Sequence, residues 1–216
     1  MIATEDLISR LADNAAPVHR LAAPGLRALQ FAGVGLLLFA VLCAWEGLRA
    51  DLPVQFGQIT FCLSLAGALL TGGLATFSAA VLSVPGRARA WLLLPLPGLA
   101  LWLASVGRGC LGDWIVLRAD QVHRAEVIEC MLSLLLTALP LTAAMLLLLR
   151  QAAPILLWPA TIAGGLATAG FVSAAMTLIH PHDASVMVLL WNFGVLGLVL
   201  LGHLALGRFV VRRHPA

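Results

Sequence analysis

Residues 151–182 read QAAPILLWPATIAGGLATAGFVSAAMTLIHPH, a run of 32 positions without Asp, Glu, Lys or Arg. Five further intervals without these residues lie at 28–45, 52–86, 90–107, 130–149 and 184–207, and they contain 18, 35, 18, 20 and 24 residues. A helix that crosses a bilayer needs about 20 residues, whereas a helical hairpin needs about 40 and a turn. Each interval therefore predicts one spanning helix, and the sequence predicts an all-α membrane protein with a bundle of six transmembrane helices.

The composition of the whole chain agrees with this class. Of the 216 residues, 61% are hydrophobic and 11% are charged, whereas an average soluble domain has roughly 25% charged residues. A soluble enzyme and a disordered chain are excluded, because so few charges cannot cover a surface that faces water. All thirteen basic residues are Arg and they form no block, so the net charge of +3 does not indicate a nucleic-acid-binding protein.

The distribution of Arg predicts the orientation of the chain. Spanning helices are expected near 28–47, 56–83, 90–108, 128–149, 154–179 and 185–207. With the N-terminus in the cytoplasm, nine Arg lie on that side and four on the other, as the positive-inside rule requires. We expect both termini to be cytoplasmic. The chain then divides into a cytoplasmic segment 1–27, a six-span domain 28–208 and a cytoplasmic tail 209–216.

The second and fifth predicted spans are rich in small residues. They contain Gly67, Gly72 and Gly73 in one span and Gly164 and Gly170 in the other, each with neighbouring Ala. Small residues at helical spacing let two helix backbones approach closely. We expect these two helices at the centre of the bundle.

Proline in the third, fourth and fifth spans leaves two interpretations open. Broken helices can mark the substrate site of a transporter, but proline more often only kinks a helix. Ion and proton relays use ionisable side chains deep in a span, whereas Glu46, Glu129 and His203 lie near predicted span ends. A kinked bundle is favoured, and a small solute transporter or channel, or a structural subunit of a membrane complex, is the alternative.

The chain carries no motif of a known catalytic site. HExxH, GxSxG and the P-loop pattern are absent from the sequence, and we expect neither an enzyme nor a cofactor. His180, His182 and Asp183 are of types that bind zinc or copper. A turn at Pro181 and a helix cap at Asp183 account for this segment without a metal, and no metal site is predicted.

The segment 1–27 is large enough to bind a partner. Acidic residues follow Thr4 and apolar residues recur at helical spacing as far as position 15, so the segment predicts an amphipathic helix of about three turns that ends before Pro17. Such a helix can lie on lipid headgroups or bind in a groove of another protein. Its acidic first turn is unsuited to anionic lipid and favours a protein.

Four residues of this segment are the predicted partner-binding residues. Leu7 and Leu11 lie on the apolar face and are expected to be the buried anchors. Asp6 and Arg20 are expected to orient the partner by their charges.

Two of the four cysteines border the loop predicted between the third and fourth spans. Cys110 and Cys130 are 20 positions apart and would face an oxidising periplasm in a bacterial inner-membrane protein. They are the candidate redox residues. A disulfide between them and two free thiols both stay open, because a bridge requires Cα atoms within about 7 Å.

Short segments along the chain match those of a known family in order and spacing. They are Asp6-Leu7-Ile8, 15–21, 47–52, 84–87, Cys110-Leu111-Gly112-Asp113-Trp114 and 150–154. Together they resemble the NrsF-type membrane anti-sigma factors, six-span proteins that restrain an extracytoplasmic-function sigma factor. The resemblance covers nearly the whole chain. It implies that residues 1–27 sequester such a sigma factor at the inner membrane and that an envelope, redox or metal signal releases it.

One position departs from the family pattern. The family commonly has His-Cys in the loop before the last span, where this chain has His180-Pro181. If the family senses stress through that cysteine and one at the outer end of the fourth span, Cys130 is present here without its usual partner. Either Cys110 substitutes for it, or the signal is sensed in another way.

Overall fold

The computed structural model describes residues 4–13, 21–113, 124–152 and 157–179, with a few positions between 194 and 205. Helices make up the regular structure of these residues, which include no strand. The helices are α1 (Thr4–Asp13), α2 (Pro24–Glu46), α3 (Leu52–Gln55), α4 (Ile59–Leu82), a 3-10 helix (Arg89–Leu93), α5 (Leu96–Asp113), α6 (Arg124–Gln151) and α7 (Leu157–Ile179). The predicted all-α class is confirmed for this part of the chain.

Five described segments are long and apolar enough to cross a membrane. They are Pro24–Glu46, Ile59–Leu82, Arg89–Val106, Leu132–Gln151 and Trp158–Ile179. Each coincides with one of the first five predicted spans. The sixth, at 185–207, lies almost entirely outside the described residues, so six spans and cytoplasmic termini stay expectations.

Helices α5 and α6 extend beyond the predicted spans. Helix α5 continues to Asp113 instead of ending near 108, and α6 begins at Arg124 instead of near 128. The uncharged intervals locate the part of a helix that suits lipid, but backbone hydrogen bonding continues past the first charged residue. At most residues 114–123 therefore remain for the loop predicted between the third and fourth spans.

Helices α4 and α7 form the centre of the described bundle, as predicted from their small residues. A Cβ atom added to Gly170 in α7 would lie 2.7 Å from the backbone nitrogen of Gly72 in α4. On another side of α4, a Cβ atom on Gly67 would lie 2.6 Å from the backbone nitrogen of Trp102 in α5. Side chains at these glycines would collide with backbone, so the close packing of the three helices depends on their absence.

The proline residues mostly mark helix starts. Pro95 directly precedes α5, and Pro97 and Pro159 lie in the first turns of α5 and α7, where a missing N–H costs no hydrogen bond. Pro140 is inside α6, which continues through it. These positions support the interpretation of proline as a local feature of helix geometry.

Buried hydroxyl groups in the bundle bond to their own helices. Thr71, Thr76, Thr137 and Thr168 each donate to the carbonyl oxygen four residues earlier, at 2.6–3.1 Å. Such bonds satisfy the hydroxyls without any partner across the bundle. These threonines therefore give no indication of a polar path for a solute.

Helix α2 lies on the outside of the described bundle. Its buried residues are Arg27, Phe31 and Leu42, whereas Leu29, Leu36 and Leu37 are each about two-thirds exposed. Phe31 packs in the core formed by α4, α6 and α7. We call residues 1–23, which precede α2 in the chain, the leader. The side of the bundle at which α2 begins, and at which α4 and α6 terminate, is the leader end. The opposite side, at which α2 and α7 terminate, is the far end.

Candidate functional site

Helix α1 is the part of the structure that corresponds to the predicted partner-binding helix. It spans the ten residues Thr4–Asp13, and Glu5 and Asp6 lie in its first turn. Acidic side chains there interact favourably with the positive end of the helix dipole. The predicted helix is confirmed over Thr4–Asp13, and its predicted end before Pro17 lies outside the described residues.

The apolar side chains of α1 that the structure describes are exposed. Ile8 is 60% exposed and Leu11 is 64% exposed, and Asp6 and Asp13 are exposed as well. An amphipathic helix of this length gains little stability alone in water. Its apolar face is therefore available for another surface.

The four predicted partner-binding residues are described to different extents. Asp6 and Leu11 are exposed on α1. Leu7 lies on α1 between them, but its side chain is outside the described residues, and so is the whole of Arg20. The partner-binding role of all four stays a prediction.

The bundle begins with an arginine that the sequence did not single out. Helix α2 starts at Pro24, and Arg27 lies in its first turn with 1% of its surface exposed. Its Nη2 donates to the carbonyl oxygen of Leu148 at 2.7 Å, and its Nη1 donates to Ser83 Oγ at 2.8 Å and to the carbonyl oxygen of Ala80 at 3.3 Å. One side chain thus joins the start of α2 to the ends of α4 and α6.

The acceptors of Arg27 explain how a buried cation is tolerated here. Ala80 and Leu148 belong to the last turns of α4 and α6, where carbonyl groups lack helical N–H partners. Each helix C-terminus carries a partial negative charge of about half an elementary charge. Two such ends, with the Ser83 hydroxyl between them, stabilise the guanidinium, although its Nε has no hydrogen-bond partner in the described part of the chain.

The far end of the bundle is fastened by a second arginine. Arg49 Nε and Nη2 each donate to one carboxylate oxygen of Asp51 at 2.7 Å, and Gln55 Nε2 donates to Asp51 at 2.9 Å. The backbone N–H of Arg49 donates to the carbonyl oxygen of Leu178 at 3.2 Å. The link between α2 and α4 is thereby attached to the last turn of α7.

The carboxylate of Asp51 is stabilised in its charged form. Hydrogen bonds from Arg49, and then from Gln55, hold the pKa of Asp51 well below its usual value. The guanidinium of Arg49 also lies 5.8 Å from the ring centroid of Phe61, a cation–π contact with α4. This cluster orders the far end of the bundle at neutral pH.

A third polar contact, also at the far end of the bundle, lies between Glu46 of α2 and Ser133 of α6. Ser133 Oγ donates to Glu46 Oε1 at 2.5 Å, across 87 positions of sequence. Glu46 is the last residue of α2, and Ser133 is 7% exposed. Helix α2 is therefore connected to α6 at the far end by Glu46 and at the leader end by Arg27.

The two candidate redox cysteines lie on helices and not in a loop. Cys110 belongs to the last turn of α5, and Cys130 belongs to the second turn of α6. Their side chains are outside the described residues, as are His180, His182 and Asp183. Among the described residues, no group of three His, Cys, Asp or Glu is placed to hold a metal.

Sequence reasoning missed the residues that fasten α2. Arg27 precedes the first predicted span and is one of the nine Arg expected on the cytoplasmic side, and nothing in its immediate sequence distinguishes it from Arg20. A weak signal existed for Arg49 and Asp51, because opposite charges two positions apart follow the first predicted span. The partners of Arg27 and Glu46 are more than 50 positions away and carry no sequence signature.

Comparison with protein families identifies the chain. A family model described as NrsF, negative regulator of sigma F, matches residues 11–212, which is nearly all of it. The chain belongs to the NrsF family. The predicted family is therefore confirmed, and the chain is a negative regulator of a sigma factor, with a sigma factor as its partner. The curated proteins and the solved structures gave no match.

Membership of the NrsF family bears on two further expectations. A family of sigma-factor regulators favours the predicted absence of enzymatic activity. The matched residues begin at Leu11, so most of α1 precedes them. The first turns of α1 are therefore outside the matched NrsF region, whereas Leu11 and Arg20 are inside it.

Proposed function

We propose that this NrsF protein sequesters an extracytoplasmic-function sigma factor at the bacterial inner membrane. Residues 1–23, the part of the predicted segment 1–27 that precedes α2, bind the factor in the cytoplasm, and the helical bundle anchors them in the membrane. The observation that carries the proposal is the exposed apolar face of α1, with Ile8 and Leu11 at 60% and 64% exposure, in a family of sigma-factor regulators. Sequestration needs only binding and no chemistry.

The attachment of the first turn of α2 supports a leader that is anchored to the bundle. Helix α2 follows the leader directly, and Arg27 fixes its first turn to two other helices. A leader that emerges from a fixed point loses less entropy on binding than one attached to a free helix. The exposed Arg87 and Arg89 and the half-buried Arg150 lie at the same end of the bundle and offer a basic surface beside the leader.

Binding of α1 follows the helix-in-groove mode. Leu7 and Leu11 insert into an apolar groove of the sigma factor, and Asp6 and Arg20 pair with charges at its rim. Leu11 is exposed and ready for burial, which is worth about 1.5–3 kcal/mol for a fully buried Leu side chain. The groove is one that the free factor uses for RNA polymerase or DNA.

Release of the factor requires a signal that favours a second arrangement of the bundle. Cys110 and Cys130 are the candidate sensors, because thiols on the periplasmic side are open to oxidation. They lie on α5 and α6 near the ends that residues 114–123 connect. A signal changes the bound fraction only by the difference in free energy that it makes between the two arrangements.

A truncation tests this function. Removing residues 1–20 leaves α2 from Pro24 and its contacts intact, and we expect the sigma factor to leave the membrane fraction and its regulon to become constitutive. A fusion reporter at the new N-terminus and the amount of protein in the membrane serve as controls. A silent regulon with the truncated protein still inserted would contradict the proposal, and substrate flux in liposomes would favour the transporter alternative.

A further inference from the structure

Helix α2 touches the rest of the described bundle through few residues, yet it is joined to α6 by a polar contact at each end. Arg27 donates to the carbonyl oxygen of Leu148 at the leader end. Ser133 donates to Glu46 at the far end. On α2 the two contacts are 19 positions apart, or about 28 Å along the helix axis.

The described contacts of α2 with α6 between these ends are apolar. Phe31 belongs to the same core as Leu141, and a Cβ atom on Gly35 would lie 3.7 Å from Leu141 Cδ1. Apolar side chains pack without directional bonds, so they tolerate small shifts of one helix along another. The hydrogen bonds at the two ends are directional and fix the position of α2 relative to α6.

We infer that α2 transmits the signal between the two faces of the membrane, with Glu46–Ser133 as its far-end contact and Arg27 as its leader-end contact. Both contacts hold α2 in the arrangement in which residues 1–23 bind the sigma factor. Loss of Glu46–Ser133 shifts α2 along α6 and releases the factor. The inference rests on the proposed function and adds its regulation.

The position of Ser133 connects this contact to the candidate sensor. Cys130 precedes Ser133 by three positions on α6, which is about one helical turn. A chemical change at Cys130 therefore acts first on the part of α6 that holds Glu46. Helix α2 then carries the change to residues 1–23, which precede it directly in the chain.

Substitutions at Ser133 test the inference without knowledge of the natural signal. Ser133→Ala removes the donor to Glu46, and Ser133→Thr keeps a hydroxyl. Because a hydrogen bond to a charged group is worth more than a neutral one, we expect Ser133→Ala to raise the ratio of released to membrane-bound sigma factor about tenfold. Ser133→Thr restores the wild-type ratio.

Thr137→Val is the matched control. Thr137 lies one turn further along α6, is equally buried and donates only to the carbonyl oxygen of Ser133 in its own helix. Its substitution removes a hydrogen bond within α6 and leaves the donor to Glu46 in place, so the ratio of released to bound factor should stay within about twofold of wild type. Each ratio is normalised to the amount of regulator in the membrane.

A distance measurement tests whether α2 moves relative to α6. Spin labels at Leu26 in α2 and Leu147 in α6, both about half exposed, are attached in a background without the four native cysteines. We expect Ser133→Ala, but not Thr137→Val, to change the distance between the labels. Unchanged distances, or equal release by Ser133→Ala and Thr137→Val, would overturn the inference.

The proposed function and this inference fail differently. If removal of residues 1–20 does not release the factor, the proposed function is wrong. If that truncation releases the factor and Ser133→Ala does not, only the role of α2 is wrong.

Discussion

The guanidinium of Arg27 donates a 2.7 Å hydrogen bond to the carbonyl oxygen of Leu148, 121 positions later in the chain. The two residues belong to the first turn of α2 and the last turn of α6. With the bonds to Ser83 and Ala80, this contact makes one side chain the meeting point of three helices. It also places a structural constraint directly after the segment proposed to bind the sigma factor.

Arg27→Met should destabilise the bundle substantially. The substitution removes the 2.7 Å bond to the carbonyl oxygen of Leu148 and the bonds to Ser83 and Ala80, and we expect the free energy of unfolding in mixed micelles to fall by about 3 kcal/mol. Arg87→Met, at an exposed arginine near the same end, should change it by less than about 0.5 kcal/mol. Similar losses for the two variants would show that the buried contacts of Arg27 contribute little.

Gly170→Ala should separate α4 from α7. The new methyl group would lie 2.7 Å from the backbone nitrogen of Gly72, so the helices must move apart, at a cost of about 1–3 kcal/mol. Gly73→Ala is the control, because no described atom outside the backbone of its own helix lies within 4 Å of its added Cβ, and alanine favours a helix. Thermal unfolding in detergent should show a lower midpoint for Gly170→Ala alone; equal midpoints would contradict the observed packing.

Asp51→Asn should destabilise the far end of the bundle and make the stability of the protein less sensitive to acidic pH. The pKa of Asp51 is lower in the folded than in the unfolded chain, so its charge stabilises the fold above the unfolded pKa of about 3.9. That contribution is lost as the pH falls further, and it does not change between pH 5 and 8. Unfolding midpoints measured from pH 3 to 7 should therefore fall less steeply in acid for Asp51→Asn than for wild type. Asp13→Asn, on α1, should follow the wild-type curve.

Leu11→Asp should abolish capture of the sigma factor without unfolding the regulator. Leu11 is 64% exposed, so the bundle loses no packing, while a charge in the proposed groove should weaken binding at least about tenfold. Ser9→Asp adds the same charge to another exposed position of α1 and should leave binding nearly unchanged. Co-purification of the factor with solubilised membranes measures both; equal loss in the two variants would point to charge alone.

Cys130→Ser should prevent induction of the regulon by a thiol oxidant, and Cys110→Ser should do the same if the two residues form a bridge. Cys43→Ser, in α2, should leave induction intact. Mass mapping of oxidised protein without reduction tests the bridge directly. Two alkylatable thiols at 110 and 130 under oxidising conditions would exclude it.

The sequence predicted those features that depend on a local pattern. The intervals between charges located five spanning segments, and the small residues around Gly72 and Gly170 predicted the central pair of helices. The acidic first turn and spaced apolar residues predicted α1. Each of these features is decided within about 30 consecutive residues.

The polar contacts that hold α2 against the bundle could not be predicted from the sequence, for a physical reason. The acceptors at Ala80 and Leu148 are backbone carbonyls, which every residue type supplies, and only the packing of helix ends brings them to Arg27. The bond between Ser133 and Glu46 likewise depends on which faces of α2 and α6 meet. A single sequence records neither arrangement.

Because Arg27 donates to main-chain carbonyl groups, mutation can remove the donor of these bonds but not those acceptors. No substitution at position 148 can remove the carbonyl oxygen that receives the 2.7 Å bond, and the same is true at position 80. Loss of this contact by substitution therefore depends chiefly on position 27. A screen for variants that lose the contact should recover substitutions of Arg27 far more often than substitutions of Ala80 or Leu148.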